Sequence, residues 1–151
     1  MWLLTLSLNR SSMNHTKKGT AFETRTVEFL RGALPGSVRV YRPAQRSRQD
    51  IGDVHVGNNL VIQCKDYKTW SRASLQKWIR DARKQAKQAG RDYGVLIIKS
   101  RREAEVSGGS DNESLVFMSG ETFAGLSAEF AEMHAKLVEV EAELEILTGQ
   151  V

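Results

Sequence analysis

Three polar residues in the segment DIGDVHVGNNLVIQCKDYK, residues 50–68, have types and spacing that suit hydrolytic chemistry. Asp53 precedes Gln63 by ten positions, and Lys65 follows two positions later. Carboxylate and amide oxygens are ligands that Mg²⁺ accepts, and the ion usually keeps several waters. A bound divalent ion lowers the pKa of such a water and stabilises charge on a phosphodiester undergoing attack. A neighbouring ammonium group could position that water or neutralise phosphoryl oxygens.

The apolar runs on either side of the Gly-Asn-Asn sequence predict a β-hairpin. If these three residues form the turn, Val56 pairs with Leu60 and Asp53 lies opposite Gln63. Cross-strand partners share a face, with Cβ atoms roughly 5 Å apart. Lys65 shares that face because side chains alternate along a strand. A two-residue turn would shift the register by one residue, so that Asp53 and Gln63 would no longer be cross-strand partners. The competing interpretation is a surface hairpin whose polar face only contacts solvent.

The rest of the chain predicts elements in the order α-β-β-β-α-β-β-α, which is typical of a layered α/β domain. Thr20 is the expected N-cap of a helix that ends near Leu34, and a second helix is expected from Ser71 to Ala89, with Gly90 as its C′ residue. A loop is expected at REAEVSGGSDNE. The other strands are predicted at SVRVYR, YGVLIIK and SLVFMS, and the last helix at residues 121–147.

Charge divides the chain into a basic body and an acidic tail. Residues 1–105 carry 21 Lys and Arg against 9 Asp and Glu, whereas residues 106–151 carry 1 against 9. A body this basic suits a polyanion such as nucleic acid. We expect a flexible N-terminal extension over residues 1–16, a catalytic domain over 17–120 and a C-terminal helix over 121–151. Met13 is a second plausible start.

Cysteine content and hydropathy indicate where the protein works. Cys64 is the single cysteine, which excludes an intramolecular disulfide and fits a reducing compartment. The opening run MWLLTLSL is too short to span a bilayer and lacks a basic region before it. We therefore expect a cytoplasmic protein with no membrane partner.

The C-terminal helix carries a heptad pattern typical of a coiled coil. Its a and d positions are apolar over almost four heptads and are Phe123, Leu126, Phe130, Met133, Leu137, Val140, Leu144 and Leu147. The pattern predicts a homodimer, which would relate two active sites by a two-fold axis. The alternative is that the first of these residues pack on the helix's own domain and only the remainder projects.

In their order along the chain, KKGTAFETRTVEFL, GDVHV, VIQCK, a basic helix and GVLIIK resemble the PD-(D/E)XK nuclease superfamily. Within it, the resemblance is to Holliday junction resolvases of the archaeal and phage type, over residues 17–102. It implies a restriction-endonuclease-like αβββαβ core, a mixed central sheet flanked by helices, with the long heptad-patterned helix added. Each motif is short and degenerate, so the signal is their ordered combination.

By position, the resemblance implies Glu23 as the upstream acid, Asp53 as the central metal ligand, Gln63 at the second acidic position and Lys65 as the signature lysine. It also implies Mg²⁺, with Mn²⁺ as a substitute, held by Glu23, Asp53, Gln63 and the backbone carbonyl of Cys64. Two positions depart from the family pattern. Gly52 replaces a frequent proline, and Gln63 replaces a glutamate, which should weaken metal affinity.

Other residues compete for these roles or surround them. Asp50 is a rival central acid, although it is better explained as a cap at the strand's entry. His55 shares the face of Asp53 and is better explained as a hydrogen-bonded histidine. The expected contacts to DNA phosphates are Lys17, Lys18, Arg42, Arg46 and Arg48.

These features predict a metal-dependent, structure-selective DNA endonuclease that resolves Holliday junctions as a homodimer. One alternative is a nuclease of the same superfamily that acts on duplex ends or flaps. The other is a catalytically inactive DNA-binding module whose coiled-coil helix recruits a partner.

Overall fold

A computed structural model describes residues 10–44, 50–99 and 114–149, with side chains from Gly19 onward. Eight elements follow the order predicted from the sequence, and the α/β class is confirmed. The helices are α1 (Arg10–Ala33), α2 (Arg72–Gln88) and α3 (Gly120–Thr148). The strands are β1 (Val40–Tyr41), β2 (Val54–Val56), β3 (Leu60–Lys65), β4 (Tyr93–Ile98) and β5 (Leu115–Phe117).

The five strands form one mixed sheet in the order β1-β2-β3-β4-β5. Strands β3 and β4 are parallel, and every other neighbouring pair is antiparallel. The hairpin has the predicted three-residue turn, because Val56 pairs with Leu60 and Val54 with Ile62. This register places alternate β3 side chains on the two faces that the sequence predicted.

One face of the sheet is covered by α1. Phe22 and Val27 of this helix pack with Val54, Ile62 and Cys64 of the hairpin in the buried core. Apolar side chains at alternate strand positions thus bury one face of the hairpin. Gln63 and Lys65 belong to the other face.

Helix α2 packs closely on that other face. A Cβ atom on Gly94 of β4 would lie 2.2 Å from the carbonyl oxygen of Ala82, so the helix backbone contacts the strand directly. The ends of α2 are those predicted: the Ser71 side chain accepts from the Ser74 N–H, and Gly90 has a φ of +66°. Residues that α2 directs inward therefore reach the polar side chains of β3.

Two boundaries differ from the sequence prediction. Helix α1 begins at Arg10, and Thr20 lies inside it, where its carbonyl accepts from the Thr24 hydroxyl. The predicted N-cap is wrong because the helical segment continues through the basic residues before Thr20. Strand β1 has only two residues, because the Val38 N–H bonds back to the carbonyl of Pro35 in a turn.

The chain divides into two compact units, residues 1–117 and 118–151. In the second unit, α3 is capped by Ser119, whose side chain accepts from the Thr122 N–H. Most of its a and d side chains are exposed, including Phe130 and Leu137. No helix within the described residues is long and apolar enough to cross a membrane. The predicted loop at residues 102–113 lies outside the described residues.

Candidate active site

Asp53 lies where β2 and β3 separate. The ladder between these strands ends at the Val54–Ile62 pair, and the Asp53 N–H donates to the carbonyl of Ile62 at 3.0 Å. Asp53 therefore precedes the strand, and the predicted ladder pair with Gln63 is not formed. The Asp53 carboxylate accepts from the backbone N–H of Cys64 through Oδ2 at 2.7 Å. The Asp53 side chain thus hydrogen-bonds the edge of β3 just beyond the last residue pair of the β2–β3 ladder.

Gly52 explains how the chain reaches this geometry. Its φ is +87°, a value that proline cannot adopt because its ring holds φ near −65°. A Cβ atom there would also lie 2.2 Å from Cγ1 of Val61. Glycine, and not the proline frequent in the resembled superfamily, is therefore required here by the local backbone.

The pKa of Asp53 is raised from 3.8 to about 6. Burial is the largest cause, because a charged carboxylate loses water there. The hydrogen bond from Cys64 and the charge of Lys65 lower the pKa, whereas the charges of Glu23 and Asp50 raise it. Glu23, Lys65 and Asp50 are therefore close enough to act electrostatically on Asp53. A partly buried carboxylate whose pKa is shifted by nearby charges is typical of a functional site.

The backbone carbonyl of Cys64 faces the same opening. In a sheet, the N–H and C=O of one residue point toward the same neighbouring strand. The Lys65 carbonyl accepts from the Lys99 N–H beyond the end of β4, so Cys64 points the opposite way, toward Asp53. Cys64 therefore directs its N–H and C=O to the β2 side of β3, where its N–H bonds the Asp53 carboxylate.

The Cys64 side chain points into the core and not toward the opening. Its thiol donates to Oγ1 of Thr26 over 3.8 Å, and burial raises the pKa of Cys64 to about 12. The thiol stays protonated at neutral pH, which suits the predicted core role and no nucleophilic one.

Glu23 of α1 forms an ion pair with Arg42, which follows β1. Arg42 also donates through Nη1 to the Thr24 hydroxyl at 3.3 Å. The pairing joins a predicted catalytic acid to a predicted DNA contact. The other predicted DNA contacts cannot be placed: Arg46 and Arg48 lie outside the described residues, and the side chains of Lys17 and Lys18 are not described.

Gln63 and Lys65 lie together on the α2 face of the sheet. The orientation of the Gln63 amide follows from its neighbours. Its nitrogen donates to the carbonyl of Trp78 at 3.1 Å, and its oxygen accepts from Lys65 Nζ at 3.2 Å and from Gln85 Nε2 at 3.0 Å. An amide oxygen has two lone pairs, and both are engaged here. Gln63 could therefore bind a metal ion only after losing one of these hydrogen bonds.

Gln85 of α2 is a site residue that the sequence analysis missed. It is 3% exposed, and its Nε2 also donates to Oδ2 of Asp50 at 2.7 Å. Its Oε1 is buried without a hydrogen-bond partner among the described residues. One feature of the sequence could have identified Gln85: it lies on the same apolar face of α2 as Trp78, Ala82 and Ala89, where a polar residue is unexpected.

Asp50 and His55 have the structural roles that we favoured. Asp50 accepts from the Gly52 N–H at 3.3 Å as well as from Gln85. The His55 ring bonds the carbonyl of Ile51 at 2.8 Å and the Tyr41 hydroxyl at 3.3 Å, which engages both nitrogens. Among the described residues, no three His, Cys, Asp or Glu side chains form a metal-binding group.

Comparison of the chain with protein-family models, curated proteins and solved structures found no match in any of the three. The functional assignment therefore depends on the residues of this chain and their geometry.

Proposed function

We propose that the protein is a metal-dependent, structure-selective DNA endonuclease that resolves four-way junctions. The observation that supports this most directly is the arrangement at the open end of the hairpin. There a partly buried Asp53 carboxylate of raised pKa lies beside the Cys64 backbone, within electrostatic reach of Glu23 and Lys65.

The oxygens at this opening suit a small, hard cation. Carboxylates of Asp53 and Glu23 and the carbonyl of Cys64 are the donor types that Mg²⁺ accepts, and they leave room for water ligands. When bound, the ion would acidify a water and offset the negative charge of the phosphate. Glu23 would have to exchange its ion pair with Arg42 for this role. The released Arg42 guanidinium could then contact a phosphate of the DNA backbone.

Lys65 is the residue that we assign to the attacking water or the phosphoryl oxygens. The Gln63 oxygen holds its ammonium group, while Trp78 and Gln85 hold the Gln63 amide. A fixed cation beside a developing negative charge lowers the barrier because no reorganisation is needed. Gln63 and Gln85 are thus positioning residues in this proposal.

A homodimer would supply two such sites for the two strands of a junction. Helix α3 exposes most of its a and d residues, and Lys136 at a g position could meet Glu141 at the partner's e position. Its seven glutamates would repel DNA, so the helix suits self-association rather than substrate binding.

The test compares a labelled four-way junction with a linear duplex of matched sequence in Mg²⁺. We expect paired nicks near the branch from the natural protein, and a loss of at least a hundredfold in Asp53→Asn and Lys65→Ala. Asp92→Asn, which changes an exposed carboxylate beyond α2, is the matched control and should cut normally.

Two results would contradict the proposal. Equal cutting of linear DNA would support the duplex-end or flap nuclease, because branch selectivity would be absent. Tight binding with no cutting would support the inactive DNA-binding module. Two observations favour the inactive DNA-binding module: the Gln63 oxygen is engaged by hydrogen bonds, and Glu23 is paired with Arg42, so neither is free to bind a metal ion.

A further inference from the structure

Two exposed aromatic side chains follow the end of β3. Tyr67 is 50% exposed and Trp70 is 39% exposed. The Tyr67 ring stacks on Trp78 of α2, with ring centroids 5.1 Å apart and planes 17° apart. Trp70 contacts Phe117 edge-on at 5.7 Å. One face of the Tyr67 ring is therefore covered by protein, while half of the side chain stays accessible.

The stacked pair is connected to the candidate site at two points. Tyr67 is two residues after Lys65, so their Cα atoms are at most about 7 Å apart. Trp78 accepts through its carbonyl from the Gln63 amide at 3.1 Å. The network that holds Lys65 therefore also contacts the backbone of the residue on whose ring Tyr67 stacks.

The charged side chains near the two rings are positive, as binding of a negatively charged nucleic acid requires. Lys68 and Arg72 are exposed and lie in sequence beside Tyr67 and Trp70. Flat aromatic faces next to cations bind single-stranded nucleic acid, with bases stacking on the rings and phosphates near the charges. A core role alone does not explain the ring pair, since the Tyr67 side chain is half solvent-exposed.

We propose that Tyr67, supported by Trp78, is a stacking site for one unpaired nucleobase of the DNA bound at the candidate active site. The inference rests on the proposed function and adds a source of branch selectivity. In a continuous duplex each base face is covered by its neighbours, so a base must leave the stack to reach Tyr67. Flaps and single strands offer such a base without the cost of unstacking a duplex, and a base pair at a branch point costs less to open than one inside a continuous duplex.

The experiment uses 2-aminopurine, a fluorescent base whose emission falls when it stacks on an aromatic ring. The probe is placed at the branch of a four-way junction, in an unpaired bulge and inside a matched linear duplex. Binding is measured in EDTA with the Asp53→Asn protein, so no cutting interferes. We expect quenching for the junction and the bulge and little for the duplex.

Variants of Tyr67 assign the quenching to its ring. In the Asp53→Asn protein, Tyr67→Leu should remove most of the quenching and weaken binding of the bulge about tenfold, the size expected for one lost stacking contact. Tyr67→Phe should keep both because it preserves the flat ring. Phe29→Leu, an exposed aromatic residue on α1, is the control and should change neither. Circular dichroism of each variant checks that it folds.

The inference fails if the folded Tyr67→Leu protein quenches the probe as strongly as its parent, or if the duplex probe is quenched equally. It also fails if Tyr67→Phe behaves like Tyr67→Leu. These outcomes are independent of the cutting assay, in which a natural protein that binds the junction without cutting it, or cuts linear DNA equally, would overturn the proposed function instead. Tyr67→Ala provides a second variant without a ring if Tyr67→Leu is unstable, and the same loss of quenching is expected from it.

Discussion

Position 63 carries an amide where the resembled family carries a carboxylate, and the surroundings of this side chain account for the difference. The amide nitrogen donates to the carbonyl of Trp78, which a carboxylate at this position could not do. The amide oxygen in turn accepts from Lys65 and Gln85. Glutamine is thus the residue that satisfies all three neighbours.

We expect Gln63→Glu to lower the stability of the metal-free protein by about 1–3 kcal/mol, because a buried carboxylate oxygen would face the Trp78 carbonyl. The measurement is urea unfolding in EDTA. Added Mg²⁺ should restore part of the loss if the new carboxylate binds the ion. Gln76→Glu, at an exposed position of α2, should leave stability within about 0.5 kcal/mol. Equal stability of Gln63→Glu and the natural protein would contradict the hydrogen-bond assignment.

The raised pKa of Asp53 gives stability a pH dependence of definite sign. Between its unfolded pKa of 3.8 and its folded pKa of about 6, the folded protein keeps a proton that the unfolded chain releases. Stability in EDTA should therefore fall as pH rises through this range, by up to about 3 kcal/mol. Asp53→Asn should remove this decrease, so the variant is more stable than the natural protein above pH 6 and equal to it near pH 4.

Unfolding experiments at a series of pH values between 4 and 8 provide the check. Asp92→Asn, at an exposed position, should keep the slope of the natural protein. Parallel pH profiles for Asp53→Asn and the natural protein would show that Asp53 is not the residue responsible.

At the scale of elements, the site depends on how α2 lies against the sheet. Gln85 and the Trp78 carbonyl reach Gln63 only because the α2 backbone approaches β4 closely at Gly94. Because β2 begins only at Val54, the backbone N–H of Cys64 on the edge of β3 is left for the Asp53 carboxylate. Helix packing thus sets the position of Lys65, and the hairpin sets the position of the acid.

We expect Gly94→Ala to destabilise the protein by about 1–3 kcal/mol, since the new methyl group would force α2 away from β4. It should also reduce junction cleavage, because Gln85 and Trp78 would move with the helix. Gly32→Ala is the matched control. Among the described residues, no atom beyond its chain neighbours and its own turn of helix backbone lies within 4 Å of the place that its methyl group would take. Alanine should therefore stabilise the end of α1 by up to about 1 kcal/mol. Thermal unfolding measures both changes, and an unaffected Gly94→Ala protein would contradict the close approach.

At the scale of the whole molecule, the two units carry different surfaces. The first contains the basic segments and the candidate site, and the second is an acidic helix with an exposed apolar stripe. Apolar side chains at a and d positions are the usual seam of a helical dimer. This division suits one unit that binds DNA and another that joins two copies of the chain.

We expect the full chain to behave as a dimer in solution and Leu137→Glu to convert it to a monomer, because a charge would be buried in the helix seam. Val138→Glu places the same charge on the neighbouring residue, outside the a and d positions, and should remain dimeric. Both residues are about half exposed in the single chain. Sedimentation or light scattering gives the mass. A monomeric natural protein, or equal effects of the two variants, would overturn the coiled-coil hypothesis.

The sequence by itself determined the order of the elements, the hairpin register from its turn to the Val54–Ile62 pair, and the ends of α2. Each of these depends on local chemistry: alternating apolar residues, a three-residue turn, a serine cap and a glycine of positive φ. The start of α1 was missed because the chain offers no strong signal between Arg10 and Thr20 that a helix begins or ends there. The alternation along β3 also separated Cys64 from Gln63 and Lys65 correctly.

Only the tertiary structure decided how the site residues are paired. Gln85 reaches Asp50, 35 positions earlier, and Arg42 reaches Glu23, 19 positions earlier, through the packing of helices on the sheet. The sequence contains no periodicity that joins such distant residues. Hydrogen bonds form only between groups that packing has brought together. The position of α2 on β3 and β4 therefore decides whether the Gln63 oxygen faces a metal-ion site or accepts a hydrogen bond from Lys65.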